Sequence, residues 1–178
     1  GKRQMFTPEF MDWFETLHLP DYHLEKYKGQ YNLTFEGSWP EVMLWEIPVL
    51  SVLMELRGRA VLGEMRRFEL QILYARGMAK LWEKIERLRN IDNLRLADFG
   101  TRRRHSFLWQ DWTVQAMTEG LGKKFIGTSN CLIAKNRDLA AIGTNAHELP
   151  MIYSALATTD EALRKAPYDV MSDWHEEH

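Results

Sequence analysis

The residues best suited to chemistry in this sequence lie in its second half, and they recur in one pattern. Three short segments end in Gly-Thr: Leu96-Ala97-Asp98-Phe99-Gly100-Thr101, Phe125-Ile126-Gly127-Thr128 and Ala141-Ile142-Gly143-Thr144. Glycine lets a ligand approach the backbone closely, and threonine sets a hydroxyl beside amide donors. The first segment runs into Arg102, Arg103 and Arg104. Their forked guanidiniums suit phosphate, although three successive side chains cannot all face one ligand, and a solvated basic turn is the competing reading. The third runs into Asn145-Ala146-His147-Glu148. With Asn145 as cap, His147 falls in the first turn of a helix, where free N–H groups and the positive end of the helix dipole favour negative charge. A phosphoryl group on that imidazole would be well housed; a packed or solvent-touching histidine is the alternative. Phe99 stands at the last strand position before Gly100, where its ring either joins the core or meets a ligand ring.

Other reactive types carry less. His147-Glu148 has no second histidine at the spacing a zinc protease needs. His175 and His178 could bind a metal adventitiously but read as a frayed terminal tail. Cys131 lacks a second cysteine two residues away and reads as structural, while His105, Trp109 and Trp112 read as residues that pack or cap the following helix.

The elements that must position these residues follow from periodicity. Each Gly-Thr segment reads as a buried strand, followed by helices at about 105–119, 130–136 and 145–156. Such a βαβαβα succession gives parallel strands with right-handed crossovers, so the three Gly-Thr ends emerge on one face, the face where ligands bind in barrels and open α/β sheets. The first half reads as helical. Ser38-Trp39-Pro40-Glu41 is a capping box opening an apolar helix to about Arg59, kinked at Pro48 unless it breaks there. Residues 64–89 have the spacing of an amphipathic surface helix. No Pro/Gly/Ser linker interrupts the chain, so 1–178 reads as one piece, with 1–90 mainly helical and 91–178 forming the βα units.

Composition bounds the class. The chain has 178 residues, of which 45% are apolar and 27% charged, and this places it among sequences that pack a core. A net charge of −2 draws it neither to nucleic acid nor to an anionic membrane, so any basic site is local. The single cysteine makes no intramolecular disulfide, the apolar stretch from Val42 to Leu56 is too short for a membrane span, and the first residues lack a signal-peptide core. The expectation is a cytoplasmic protein.

Taken together, Asp98-Phe99-Gly100-Thr101-Arg102-Arg103-Arg104, Gly127-Thr128-Ser129-Asn130 and Gly143-Thr144-Asn145-Ala146-His147-Glu148 resemble nicotinate phosphoribosyltransferase, in that order and with suitable spacing. Upstream, Glu36-Gly37-Ser38-Trp39-Pro40-Glu41-Val42 and Leu44-Trp45-Glu46-Ile47-Pro48 look like the helix that leads toward that family's catalytic half. The resemblance implies an α/β fold in which a helical half leads into the first parallel strands of an irregular, type II phosphoribosyltransferase barrel. It implies an enzyme of NAD biosynthesis, dimeric, that joins nicotinate to phosphoribosyl pyrophosphate, with ATP hydrolysis coupled through a phosphohistidine and with magnesium. Position by position it makes Phe99 the aromatic residue stacked on the pyridine ring, Arg102 the phosphate-holding arginine, Thr144 a nicotinate contact and His147 the phosphorylated histidine. Ser129 falls where the related nicotinamide enzyme places an aspartate, and a carboxylate substrate tolerates Ser where it would be repelled by Asp. Family members are much longer. The likeness therefore implies a central portion of the enzyme, inactive by itself, with an incomplete barrel whose apolar faces need a partner. The alternatives are a nicotinamide or quinolinate relative and a non-catalytic interaction fragment.

Overall fold

The computed structural model describes residues 6–144 and 146–177. They fall into two compact units, 1–141 and 142–178, each described here by itself.

The first unit opens with α1 (Pro8–Thr16), capped by the Thr7 hydroxyl, which accepts from the Phe10 amide at 3.2 Å. A hairpin follows: β1 (Tyr22–Tyr27) pairs antiparallel with β2 (Gln30–Phe35). Its two-residue turn holds Lys28 at φ 49° and Gly29 at φ 80°, the pair of positive angles whose twist matches that of the strands. The sequence reading placed no strand before Leu96. Gly29 between two Tyr-rich segments was the available signal.

Next come α2 (Trp39–Met43), α3 (Glu46–Gly63) and α4 (Arg67–Arg89). The capping box expected at Ser38 is present, with the Glu41 carboxylate accepting from both the amide and the hydroxyl of Ser38. The helix expected to kink at Pro48 breaks instead, at Leu44-Trp45, and α3 restarts so that Pro48 is its third residue. The physical reason is that only the first-turn amides of a helix lack an intrahelical acceptor, so proline's missing donor costs nothing there. The first bond of α3 is then Val49 N–H to Trp45 O, 3.0 Å. Trp45, at the break, ties the hairpin to the helices: its indole donates to Pro20 O at 2.8 Å, and its ring lies 5.1 Å from that of Phe35.

The parallel part consists of β3 (Leu96–Asp98), a 3-10 turn (Thr101–Arg103), α5 (Phe107–Leu121), β4 (Phe125–Thr128) and α6 (Cys131–Asn136). The core lies behind it, formed by Ile85 of α4, Val114 and Leu121 of α5, Phe125 of β4 and Ile133 of α6. The expected third strand is reduced to one parallel bridge, Ala141 to Thr128. Ladder partners run out at that point: Thr128 gives its amide to Ala140 O, and Asn130 then turns away to cap α6. Among the described residues, two two-stranded sheets form and no barrel closes. Apolar side chains of α3, including Ile47, Val52, Leu53 and Leu56, stay exposed, so the uncovered apolar face that the sequence reading expected is present.

The second unit is a helical hairpin of α7 (Glu148–Leu156) and α8 (Asp160–Glu177). Ala166 and Val170 are buried in it, and the Tyr153 hydroxyl donates to Asp173 at 2.6 Å. That hydrogen bond favours the protonated phenol and raises the Tyr153 pKa, and the negative charge of the carboxylate adds to the effect. His175 lies exposed within α8 rather than in a frayed tail, while His178 is outside the described residues.

Two predictions follow from the packing of the first unit. A Cβ on Gly120 would stand 2.4 Å from Ile85 Cγ2, in the core, whereas one on Gly63 would meet open space. Gly120→Ala is expected to lower stability by about 1–3 kcal/mol, and Gly63→Ala to leave it unchanged or raise it by under about 1 kcal/mol, as read by urea denaturation. Arg137, after α6, grips Asp111 of α5 through two bonds of 2.6 and 2.7 Å, and these bonds hold the Asp111 carboxyl below its ordinary range. A depressed carboxyl contributes stability above its unfolded pKa, about 3.9, and loses it as pH falls through the folded value. Asp111→Asn should therefore be less stable than wild type at pH 7, by about 1 kcal/mol or less for a pair this exposed, and the gap should close on acidification below about pH 4. A gap independent of pH would refute the ion-pair account.

Candidate active site

β3 and β4 run parallel, with Ala97 opposite Gly127 and Asp98 opposite Thr128. The register continues for one bond past the strands, as the Ser129 amide donates to Asp98 O at 2.8 Å. Phe99 and Ser129 therefore leave adjacent strands at the same carboxyl end, as the Gly-Thr pattern predicted. The Phe99 ring is 51% exposed and so is available to a ligand rather than spent in the core. Gly127 has φ 145°, a backbone angle that a side-chain-bearing residue would adopt only under strain.

Behind this face lies a polar network. Asp98 Oδ2 accepts from Gln110 Nε2 at 2.7 Å and from the Thr128 hydroxyl at 2.8 Å, while Oδ1 accepts from the Gly100 amide at 3.0 Å. Thr101 Oγ1 accepts from Gln110 Nε2 and from Asn130 Nδ2, each at 3.0 Å. Asn130 in turn caps α6, its side-chain oxygen accepting from the Ile133 amide at 3.1 Å. Both strands, α5 and α6 are thus fastened at one point. The sequence reading did not single out Asp98, Gln110, Thr128 or Asn130 as working residues. Three of them sit inside the motifs it quoted, and Gln110 could have been noticed as the amide sharing the buried face of α5 with Val114 and Leu121.

The arginines separate. Arg102, one-third exposed, forms an ion pair with Glu46 in the first turn of α3. Arg103 is exposed, and Arg104 stacks its guanidinium 5.2 Å from the Phe107 ring centroid. One arginine of three is therefore held near the strand end with a carboxylate already beside it. His105 is a packing residue as expected, its Nε2 3.0 Å from the Tyr74 hydroxyl and its ring edge-on to Trp109. Cys131 is an exposed free thiol at the start of α6.

Thr144 and His147 belong to the second unit and are both exposed. His147 is not inside the first turn of α7 but at its N-cap, one position earlier, and Asn145, expected to cap it, lies outside the described residues. Pro150 explains the later start. A helix begun at Asn145 would need Pro150 to donate to Ala146 O, which proline cannot do. Starting at His147 puts Pro150 in the first turn, and the first bond is Met151 N–H to His147 O, 3.3 Å. No group of three or more His, Cys, Asp or Glu among the described residues could hold a metal, and both oxygens of Asp98 are committed to protein donors. The described residues therefore do not by themselves fit the magnesium that the resemblance implies. No described helix is long and apolar enough to cross a membrane.

Comparison with known proteins finds a likeness in sequence and in fold. Residues 94–178 match the model of the nicotinate phosphoribosyltransferase (NAPRTase) family. The chain is similar to the crystal structure of nicotinate phosphoribosyltransferase from Vibrio cholerae, with 29% identity and TM-score 0.71, covering 90% of this chain and 38% of that one. It is also similar to a putative nicotinate phosphoribosyltransferase from Saccharomyces cerevisiae, with 27% identity and TM-score 0.73, covering 94% and 42%. The Porphyromonas gingivalis enzyme, at 24% identity and TM-score 0.71 over 94% and 41%, shares the fold. The chain thus spans about two-fifths of the length of the solved structures it matches. All five candidate residues, Phe99, Arg102, Ser129, Thr144 and His147, lie inside the segment that matches the nicotinate phosphoribosyltransferase family model, within a chain whose fold is similar to that of solved nicotinate phosphoribosyltransferases over at least 90% of its length.

Proposed function

We propose that this chain is the central part of a nicotinate phosphoribosyltransferase, which forms nicotinate mononucleotide and pyrophosphate from nicotinate and phosphoribosyl pyrophosphate in NAD biosynthesis, with ATP hydrolysis coupled through His147. The observation that carries the reading is the shared carboxyl end of β3 and β4. There an exposed aromatic ring, Phe99, and the hydroxyl residue Ser129 emerge from neighbouring strands at register-matched positions. A flat apolar surface beside a small neutral polar group suits a pyridine carboxylate: the ring stacks on Phe99, and Ser129 offers a donor without a repelling charge.

Substitution at the anomeric carbon of the ribose forms a bond to the pyridine nitrogen as the bond to pyrophosphate breaks. Its rate depends on positioning and on neutralising the departing phosphates. Arg102 is the candidate for that task, and an incoming phosphate would share it with Glu46 or displace Glu46 from it. On the family resemblance, Thr144 would be a nicotinate contact. His147 would accept the γ-phosphoryl group, a ring nitrogen forming the N–P bond as the bond to the bridging oxygen breaks and ADP departs. The positive end of the α7 dipole, at which His147 is the N-cap, supports a phosphate there. A cytoplasmic homodimer is part of the same proposal, as is ATP used with magnesium, whose ligands would come from substrate phosphates and from residues other than those described here.

Alone, the 178 residues are expected to turn over no nicotinate; within a polypeptide of the relatives' length they are expected to form mononucleotide. In that polypeptide, labelled ATP should leave an acid-labile, base-stable phosphate. His147→Ala should abolish both the label and ATP stimulation while sparing some ATP-independent synthesis. The same label on the mutant would place the phosphorylated residue elsewhere. Ser129→Asp should depress nicotinate use by about 10-fold or more, equivalent to about 1.4 kcal/mol, and nicotinamide use by less. An unchanged preference would show that Ser129 does not face the ring substituent.

A further inference from the structure

The residue that most invites explanation is Gln110. Its side chain is almost completely buried, at 4% exposure, and both protons of its amide are taken: one by Asp98 Oδ2 at 2.7 Å and one by Thr101 Oγ1 at 3.0 Å. Its oxygen lies 3.4 Å from the Thr101 hydroxyl and 3.5 Å from Arg104 Nη1. The amide therefore spans a short stretch of chain, 98–104, holding one end as a donor to a carboxylate and the other through a hydroxyl and a guanidinium. Between those anchors sits Phe99, and directly after Thr101 comes Arg102. The stretch has little freedom elsewhere: the Gly100 amide closes on Asp98 Oδ1 so tightly that a Cβ at Gly100 would stand 2.9 Å from that oxygen.

Core packing does not require this arrangement. The cluster that fastens α5 to β4 and α6 is built from Val114, Leu121, Phe125 and Ile133, whereas the Gln110 side chain meets the polar groups of Asp98, Thr101 and Arg104. An amide is needed only because Asp98 and Thr101 must be given donors where they stand. Since both amide protons are committed within the protein, Gln110 has none left to offer a substrate.

We propose that Gln110 is a positioning residue, which from behind the sheet sets the 98–104 stretch and thereby the placing of Phe99 and Arg102. The inference rests on the nicotinate phosphoribosyltransferase reading. Glutamate at this position is informative because its protonated form can replace one of the two donors, whereas its ionised form replaces neither and sets a negative charge against Asp98.

The test uses the active polypeptide of the relatives' length, with Gln110→Glu and the near-isosteric, uncharged Gln110→Met. Both variants should keep the wild-type circular dichroism and the slow amide exchange of Val114 and Ile133, while the Gly100 and Ser129 amides exchange at least about 10-fold faster. The KM for nicotinate should rise at least about 10-fold in Gln110→Met. In Gln110→Glu the rise, taken relative to wild type, should shrink as pH falls from 8 to 5.5. Fast exchange at Gly100 and Ser129 with an unchanged KM would overturn the inference and leave the function intact. Loss of core protection in both variants would show a structural role and overturn it equally. A wild-type polypeptide that binds no nicotinate would refute the function itself, and the inference with it.

Discussion

A carboxylate taken from water must be given donors, and the way Asp98 meets that demand organises the parallel part of this protein. Its two oxygens receive an amide of its own loop, the side-chain amide of Gln110 on α5 and the hydroxyl of Thr128 on β4. None of these donors is charged, and none can be withdrawn without leaving a part-buried carboxylate short of a partner. Two strands and a helix are therefore fixed at the same point, and that point is where Phe99 and Ser129 come to the surface. The placing of this candidate face derives from a residue one position before the aromatic ring.

Proline sets the second constraint. α3 and α7 both begin two residues before a proline, at Glu46 before Pro48 and at Glu148 before Pro150, because that is the earliest start at which the missing N–H is one no helix would use. In α3 this divides an apolar helix in two and leaves Trp45 at the break to tie the hairpin to the helices through Pro20 and Phe35. In α7 it fixes His147 at the N-cap, next to amides without intrahelical acceptors. The same rule thus shapes a packing joint in one unit and the candidate phosphoryl acceptor in the other.

Charge is used sparingly around the face. The three consecutive arginines divide among an ion pair with Glu46, solvent, and a stack on Phe107, so the local positive field is smaller than three charges in sequence suggest. The partnership of Arg102 with Glu46 also places α3 in electrostatic contact with the strand end, linking the helical half of the chain to the site by more than packing.

The sequence by itself determined the elements whose signals are local: the capping box at Ser38, the amphipathic spacing of α4, the succession of Gly-Thr strand ends and helices, and the motif residues whose joint occurrence carries the family. These depend on neighbours within about four positions, where periodicity and capping operate. The tertiary structure decided what depends on distant partners. It reduced the third strand to a bridge at Ala141, where Thr128 gives its amide to Ala140 O and the chain then turns at Asn130 to cap α6. It assigned Arg102 to Glu46, 56 positions away, and joined Gln110 to Asp98 and Thr128 to Asp98 across 12 and 30 positions. A hydrogen bond between residues so far apart leaves no periodic trace in the chain. The candidate residues could thus be named before folding, and the network behind them could not.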